Sequence, residues 1–406
     1  MHSRSAADGE ARAVGDTTAT TPEPPSGPSA AGTARAGATR VGPAPTGPAP
    51  GADVPDADVA GAEVADVDVA GVDVPDEDVP TVASPPGEWV QDVLGPDYQA
   101  QTLDLTPDDE GDVVATVVRH RPPTDEAVRP ARALLYLHGW SDYFFQTELA
   151  EHWTARGVAF YALDLRKYGR SLRAHQTPGY VDDLETYDED IAAALDLVRR
   201  ELGAHARVVV MGHSTGGLVA SLWAHRNPGA LAGLVLNSPW LELQGSGMLR
   251  HLSSPAVAQI ARFQPKAPLP NIDPGFYNRT LSAASGGEWT FDDRWRPNPS
   301  FPVRAGWLSA VMTGHTVVAR GLSIDVPILM MASTRTLITP RWNEAMRSAD
   351  IVLDVELLAR RAVQLGPCVT VVRIAGGVHD LVLSAPPVRA RVYAELDRWS
   401  AGYGWA

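Results

Sequence analysis

Apolar and polar positions alternate along the chain in a rhythm that changes from period two to period 3.6 and back. Short β-branched or apolar runs at Arg132–Leu137, Val158–Leu163, Arg207–Met211, Leu231–Asn237, Val326–Met331 and Cys368–Ile374 read as buried strands. Between them, Glu148–Arg156, Tyr187–Leu202, Val355–Leu365 and Pro386–Trp399 carry apolar residues at helical spacing, as in Ile191, Ala194, Leu195 and Val198. Strands alternating with helices predict an α/β fold with a mostly parallel central sheet and helices on both faces. Ahead of them, Tyr98–Leu105 and Val113–Arg119 flank Pro107-Asp108-Asp109-Glu110-Gly111, a hairpin that adds antiparallel strands at one edge. The rhythm breaks over about 241–320, where helical pieces, Pro turns and the tryptophans Trp289, Trp295 and Trp307 suggest a helical lid inserted after a central strand.

The first 85 residues have no such rhythm. They are nearly all Ala, Pro, Gly, Thr, Asp and Val, and 51–80 repeats loosely as GADVPDADVA, GAEVADVDVA, GVDVPDEDVP. Alternating Asp and Val with frequent Pro cannot bury a face, so 1–85 reads as an extended acidic tail and 86–406 as the folded domain. The period of ten lacks the Gly-rich spacing of a calcium-binding coil. Fourteen acidic residues and four arginines give the tail a charge of −10 out of the chain's −15. The folded part is therefore near neutral, which argues against a nucleic-acid surface. The single cysteine, Cys368, excludes an internal disulfide framework. Neither a signal-peptide run nor a stretch of membrane-span length is visible, so the expectation is a cytoplasmic protein without stable membrane insertion. Oligomeric state is not legible.

The chemistry centres on Val208-Val209-Val210-Met211-Gly212-His213-Ser214-Thr215-Gly216-Gly217. A G-x-S-x-G pattern between a buried strand and a helix holds a serine on a sharp turn at the end of a sheet, where Gly212 and Gly216 allow the two backbones to approach. Ser214 is the candidate nucleophile. His213, beside it, is expected to point away from the reaction and to support the turn. The base should follow in chain order, and His379 in Ala375-Gly376-Gly377-Val378-His379 leaves the last strand where it is needed. Two backbone N–H groups must hold an oxyanion: Thr215 supplies one and Trp140, in His138-Gly139-Trp140-Ser141, the other, with Gly139 giving backbone room. The Trp140 ring and Tyr143-Phe144-Phe145 are expected to form an apolar wall of the site. The acid is harder to place. Nine residues past Pro327, where an aspartate is expected, stands Thr336. Asp350 lies where a carboxylate turns toward His379, Asp354 suits a helix N-cap and is the alternative acid, and Asp142 and Glu344 are the remaining positions.

Together these residues resemble the α/β-hydrolase superfamily, in its branch of monoacylglycerol lipases, lysophospholipases and serine aminopeptidase-like proteins, over roughly 88–402. Asp164-Leu165-Arg166-Lys167-Tyr168-Gly169-Arg170-Ser171 is similar to that branch's D-x-R-G-x-G-x-S loop, with Lys167 in place of the first glycine, and Tyr187 and Asp190 resemble its helix-opening pair. The resemblance implies that these segments brace the active-site loops. Asp350-Ile351-Val352-Leu353-Asp354-Val355-Glu356 is similar to the acid segment D-x-x-V-D-x-E, displaced by an insertion over 336–349, which implies Asp350 as the acid and Asp354 as the helix start.

The expected activity is hydrolysis of carboxylic esters, acylglycerol- or lysophospholipid-like, through an acyl-enzyme on Ser214, without cofactor or metal. The partner is a small-molecule acyl ester. Apolar lid residues (Met248, Leu249, Leu252, Val257, Ile260) suit an acyl chain. The alternatives are an aminopeptidase or amidase on the same triad, with Glu242, Asp273 or Asp292-Asp293 anchoring a free amine, and a non-catalytic binding protein. Ser214 in place of Asp argues against a dehalogenase.

Overall fold

The computed structural model describes residues 87–121, 131–243, 255–270 and 273–405. The tail expected over 1–85 lies outside them. Among the described residues nine strands form one sheet in the order β1-β2-β3-β5-β4-β6-β7-β8-β9. The first three, β1 (Val90–Asp92), β2 (Gly95–Asp108) and β3 (Gly111–His120), run antiparallel, and β3 pairs antiparallel with β5 (Ala159–Asp164). From β5 the sheet is parallel through β4 (Arg132–Leu137), β6 (Arg207–His213), β7 (Gly233–Asn237), β8 (Ile328–Ser333) and β9 (Val369–Ile374). This is the α/β-hydrolase fold.

Both faces of β4 to β8 are buried, with β9 half-buried at the edge, and period-two alternation divides their side chains between two cores. Leu135, Leu137, Val208, Val210, Leu234, Leu236 and Met330 face α2 (Tyr187–Leu202), α3 (Thr215–Arg226) and α7 (Val355–Ala362). Leu134, Tyr136, Val209, Met211, Val235, Leu329 and Met331 face α1 (Thr147–Thr154) and α8 (Pro386–Trp399). The region between β7 and β8 holds α4 (Pro255–Phe263), α5 (Phe276–Leu281) and α6 (Ala305–Ala319). α6 anchors this lid-like insertion: Trp307, Leu308, Val311 and Val318 are buried in the first core with α3.

The sheet order also locates the site. The chain steps from β4 outward to β5, then crosses back to β6, so the carboxyl ends of β4 and β6 lie side by side at a topological switch point. Leu137 is the register partner of Gly212. The turns His138–Ser141 and His213–Thr215 consequently meet.

Buried charge stiffens this end of the sheet. Arg170 bridges Asp92 on β1 (2.6 Å) and Asp164 at the end of β5 (2.8 Å), all three fully buried, and Asp164 also accepts from the Phe144 amide (2.9 Å). Arg166 pairs with Asp190 of α2 at 2.7 Å. Lys167, with φ +64°, reaches Asp108 and Glu110 at the β2–β3 turn, both at 2.6 Å.

Candidate active site

Ser214 sits at φ 50°, ψ −116°, a left-handed conformation that an L-residue holds at a cost of about 1–3 kcal/mol unless its surroundings over-determine it. Here they do. Its N–H donates to Asn237 O (3.1 Å), and its carbonyl accepts from Trp240 N (2.9 Å) and Gly217 N (3.0 Å). A side chain at Gly212 would meet Gly216 O at 2.5 Å, and one at Gly216 would collide with His138 O. The elbow is thus pressed against both its own helix and the β4 turn.

Ser214 Oγ lies 3.0 Å from His379 Nε2, and His379 Nδ1 lies 2.9 Å from Asp350 Oδ2. All three are buried, at 8%, 2% and 0% exposure. Asp350 Oδ1 accepts from Val352 N (2.9 Å) and Leu353 N (2.8 Å), so the second oxygen is left to face the histidine. Asp354 is elsewhere. It caps α7, accepting from Glu356 N (2.9 Å) and Leu357 N (3.2 Å). Glu344 pairs with Arg347 at 3.1 Å, and Asp142 with Arg296 at 3.1 Å. Of the four candidate acids, Asp350 alone meets His379.

The path to Asp350 explains why Thr336 stands where an acid was expected. Thr336 and Asp350 are partners in a single parallel bridge, with Asp350 N donating to Arg335 O (2.9 Å) and Leu337 N to Asp350 O (2.8 Å). After β8 the chain therefore leaves, folds back, and re-enters in the same direction beside its own exit. Parallel pairing needs a connection of about a dozen residues or more, and 337–349 is that connection.

Trp140 and Thr215 line the same cavity as Ser214, and among the described residues neither backbone amide donates to another backbone group. Gly139 allows the two turns to meet: a side chain there would stand 3.2 Å from Ser214 Cβ and 3.1 Å from the His213 ring. His138 holds the turn, with Nδ1 2.7 Å from Gly139 O and Nε2 accepting from Leu165 N (3.1 Å). Burial lowers its pKa, which suits a neutral ring used as both donor and acceptor.

Two expectations need correction. His213 does not point away: it lines the cavity, and its ring lies 4.9 Å from that of His379. Alternation along β6 ends at the elbow, where Ser214 leaves extended geometry. His213 Nδ1 is 3.1 Å from Asn237 O, and burial pushes its pKa down to about 4. Nor do Tyr143, Phe144 and Phe145 line the cavity. They are at most 4% exposed and pack with Trp153, Phe160 and Trp295 in the second core.

Several residues at the site carried no signal in the sequence. Asn237 Nδ2 donates to Asp380 Oδ1 (2.6 Å), Asn237 Oδ1 accepts from Leu381 N (3.1 Å), and Gln146 Nε2 donates to Asp380 Oδ2 (3.2 Å). The Tyr277 hydroxyl accepts from Asp380 N (3.2 Å), and its ring lies 5.5 Å from His379. The only local hint was an acid directly after His379.

A cavity of about 670 Å³ opens on Ser214 and His379. One wall is aromatic, with Trp140 3.8 Å from Trp307, and Trp307 6.1 Å from Trp240, between ring centroids. Another is polar, with Ser141, Asp142, Asn278, Arg296 and Ser300. Burial pushes the Asp142 carboxyl up to about 7 against the pull of Arg296. Of the apolar lid residues expected at the site, Met248, Leu249, Leu252 and the Val257 side chain lie outside the described residues, and Ile260 is 40% exposed. Among the described residues no cluster of three His, Cys, Asp or Glu is placed to hold a metal, and no helix is long and apolar enough to cross a membrane.

A family model described as serine aminopeptidase, S33, matches residues 128–383, well over half of the chain. The chain belongs to the serine aminopeptidase S33 family. This member is 34% identical over 124 residues to phospholipase YtpA of Bacillus subtilis, an alignment covering 30% of this chain and 45% of that protein. It is 27% identical over 230 residues to a monoacylglycerol lipase of Mycolicibacterium smegmatis, covering 54% and 74%. The chain thus spans less than half the length of the first relative and about three quarters of the second. Monoacylglycerol lipase from Paleococcus ferrophilus shares the fold, with TM-score 0.51 at 18% identity over 66% of this chain and 93% of that one.

Proposed function

We propose that the protein hydrolyses carboxylic esters of apolar acyl chains, acylglycerol- or lysophospholipid-like, through an acyl-enzyme on Ser214. The observation that carries the reading is the hydrogen-bonded row Ser214–His379–Asp350, at 3.0 and 2.9 Å, opening on a cavity with an aromatic wall. Asp350 accepts a hydrogen bond from His379 Nδ1–H and so fixes the tautomer whose Nε2 lone pair faces Ser214. His379 takes the hydroxyl proton as Oγ attacks the ester carbon. The carbonyl electrons move onto oxygen, where the Trp140 and Thr215 amides stabilise the oxyanion. Collapse expels the alcohol, protonated by His379, and a water molecule repeats the sequence on the acyl-enzyme.

Ester is favoured over amide by the state of the acids. Glu242 is held by Arg361 (2.9 Å), Asp292 by Arg294 (2.5 Å), and Asp142 by Arg296 (3.1 Å), while Asp273 accepts from Gly275 N (2.8 Å) and Ser300 N (3.3 Å). Of the acids expected as amine anchors only Asp273 lines the cavity, and each of its two oxygens already accepts a backbone amide, from Gly275 and from Ser300. The phospholipase and monoacylglycerol lipase among the relatives point the same way. The test is fluorophosphonate labelling of wild type and Ser214→Ala, with hydrolysis of p-nitrophenyl esters from two to sixteen carbons and of aminoacyl anilides. Ester turnover with labelling lost in the variant is the expected result. Anilide turnover without ester turnover would overturn the ester reading, and neither labelling nor turnover would overturn catalysis by this row.

A further inference from the structure

The connection 337–349 does more in the structure than return the chain to Asp350. Leu337, Ile338, Thr339, Pro340 and Met346 all line the cavity. Met346, in the 3-10 turn Glu344–Ser348, is 1% exposed, whereas Ile338 is 50% exposed. The turn is itself braced, since the Asn343 side chain accepts from Ala345 N at 2.9 Å.

The same segment grips the lid. Arg347 donates to Arg279 O (3.2 Å), Thr280 O (3.1 Å) and Ser285 O (2.7 Å), the carbonyls at and just beyond the end of α5, where a helix presents unpaired acceptors and partial negative charge. Trp342 packs edge-on against Phe276 at 5.9 Å, with the Arg279 guanidinium 4.2 Å above its ring. α5 supplies Phe276, Tyr277 and Asn278 to the cavity wall. Two cavity walls, one from the lid and one from the connection, are therefore tied at a set spacing. The neck at Thr336 and Asp350 is closed by backbone hydrogen bonds, so positioning the acid does not require those particular apolar side chains.

We propose that the connection 337–349 gauges the acyl chain, with Met346 as the inner stop and Ile338 as the outer contact. This rests on the esterase reading above. A flexible thioether fits the stop, because Met fills irregular gaps and adapts to a chain end of varying shape.

The experiment uses the full chain, with kcat/KM measured on p-nitrophenyl esters from two to sixteen carbons for wild type, Met346→Ala and Met346→Trp. Fluorophosphonate labelling of Ser214 and a melting curve accompany each protein. Met346→Ala is expected to move the optimum to longer chains, with the long-to-short ratio rising roughly fourfold per methylene newly buried. Met346→Trp should move it to shorter ones. A segment that merely supports Asp350 would scale all chain lengths in parallel, and that result overturns the gauge. Should the Met346 variants fail to fold, Ile338→Trp at the half-exposed position decides: a lowered preference for long esters supports the gauge, and an unchanged profile refutes it. Absence of ester turnover in the wild type overturns both readings, whereas turnover with an unshifted profile overturns this one alone.

Discussion

Replacing Asp350 by Asn tests the candidate acid through its hydrogen bonds. Asp350 Oδ1 accepts two backbone amides, Val352 N and Leu353 N, at 2.9 and 2.8 Å, while Oδ2 faces His379 Nδ1 at 2.9 Å. An asparagine can place its NH2 group on either side. Turned toward the two amides, it would strand two buried donors, at about 1–3 kcal/mol each. The carbonyl therefore stays on the amides, and the NH2 donates to His379 Nδ1. That forces the proton onto Nε2, which then donates to Ser214 and can no longer accept from it. A Ser-His-Asp row with the wrong tautomer loses roughly 10⁴-fold in kcat, or about 5.5 kcal/mol of transition-state stabilisation. The side-chain shape is unchanged, so the melting temperature should move by only a few degrees. The assay is kcat on a p-nitrophenyl ester, alongside the rate of fluorophosphonate labelling. A kcat within tenfold of wild type in a folded Asp350→Asn protein would refute the argument.

Asp354→Ala removes the acceptor of two amides at the start of α7 and should lower unfolding free energy by about 0.5–2 kcal/mol in a denaturant titration, with ester turnover retained. Asn237→Ala leaves the Leu381 amide and the Asp380 carboxylate short of a partner, each worth about 1–3 kcal/mol, and should slow turnover by loosening the His379 loop while Ser214 still labels. His315, 2.8 Å from Trp240 O through Nε2, has its pKa pushed down by burial to about 4. The unfolded chain, titrating near 6.5, binds the extra proton between about pH 6.5 and 4, so stability falls on acidification across that window. His315→Gln should show a shallower loss in melting temperature from pH 7 to 4.5; an identical slope would assign the acid limb elsewhere. Asp142, raised to about 7, acts in the opposite sense over the same range but is present in both proteins.

Local pattern carries much of this fold because parallel strands buried on both faces are continuous apolar runs, and because an elbow serine needs glycines at fixed offsets. Each strand read from sequence is present, with ends shifted by a few residues, as in Val326–Met331 against Ile328–Ser333. Pairings that span long separations left no local trace. Arg296 lies 154 residues from Asp142, and Asp350 meets Thr336 only across a bridge that closes a long excursion. Aromatic residues are ambiguous for a different reason. Trp140 and Tyr143 look alike as apolar residues after β4, yet Trp140 turns to the cavity and Tyr143 to the core, a distinction set by the turn at Ser141 (φ 50°).

Asn237, read from the sequence only as the end of a strand, joins the two halves of the site. Its carbonyl receives Ser214 N and faces His213 Nδ1, both at 3.1 Å, which helps hold the strained elbow. Its side chain reaches the other way, to Asp380 and Leu381, the residues after His379. The elbow after β6 and the histidine loop after β9 are separated by two strands in the sheet, yet one residue at the end of β7 is bonded to both. A hydroxyl and an imidazole must be held close to their working geometry for proton transfer, and 3.0 Å between Oγ and Nε2 is within that reach. The distance follows from β7 ending where both loops can be hydrogen-bonded to it. The strain at Ser214 persists because its backbone is tied to Asn237, Trp240 and Gly217, and the loop that carries His379 is tied to the same strand end.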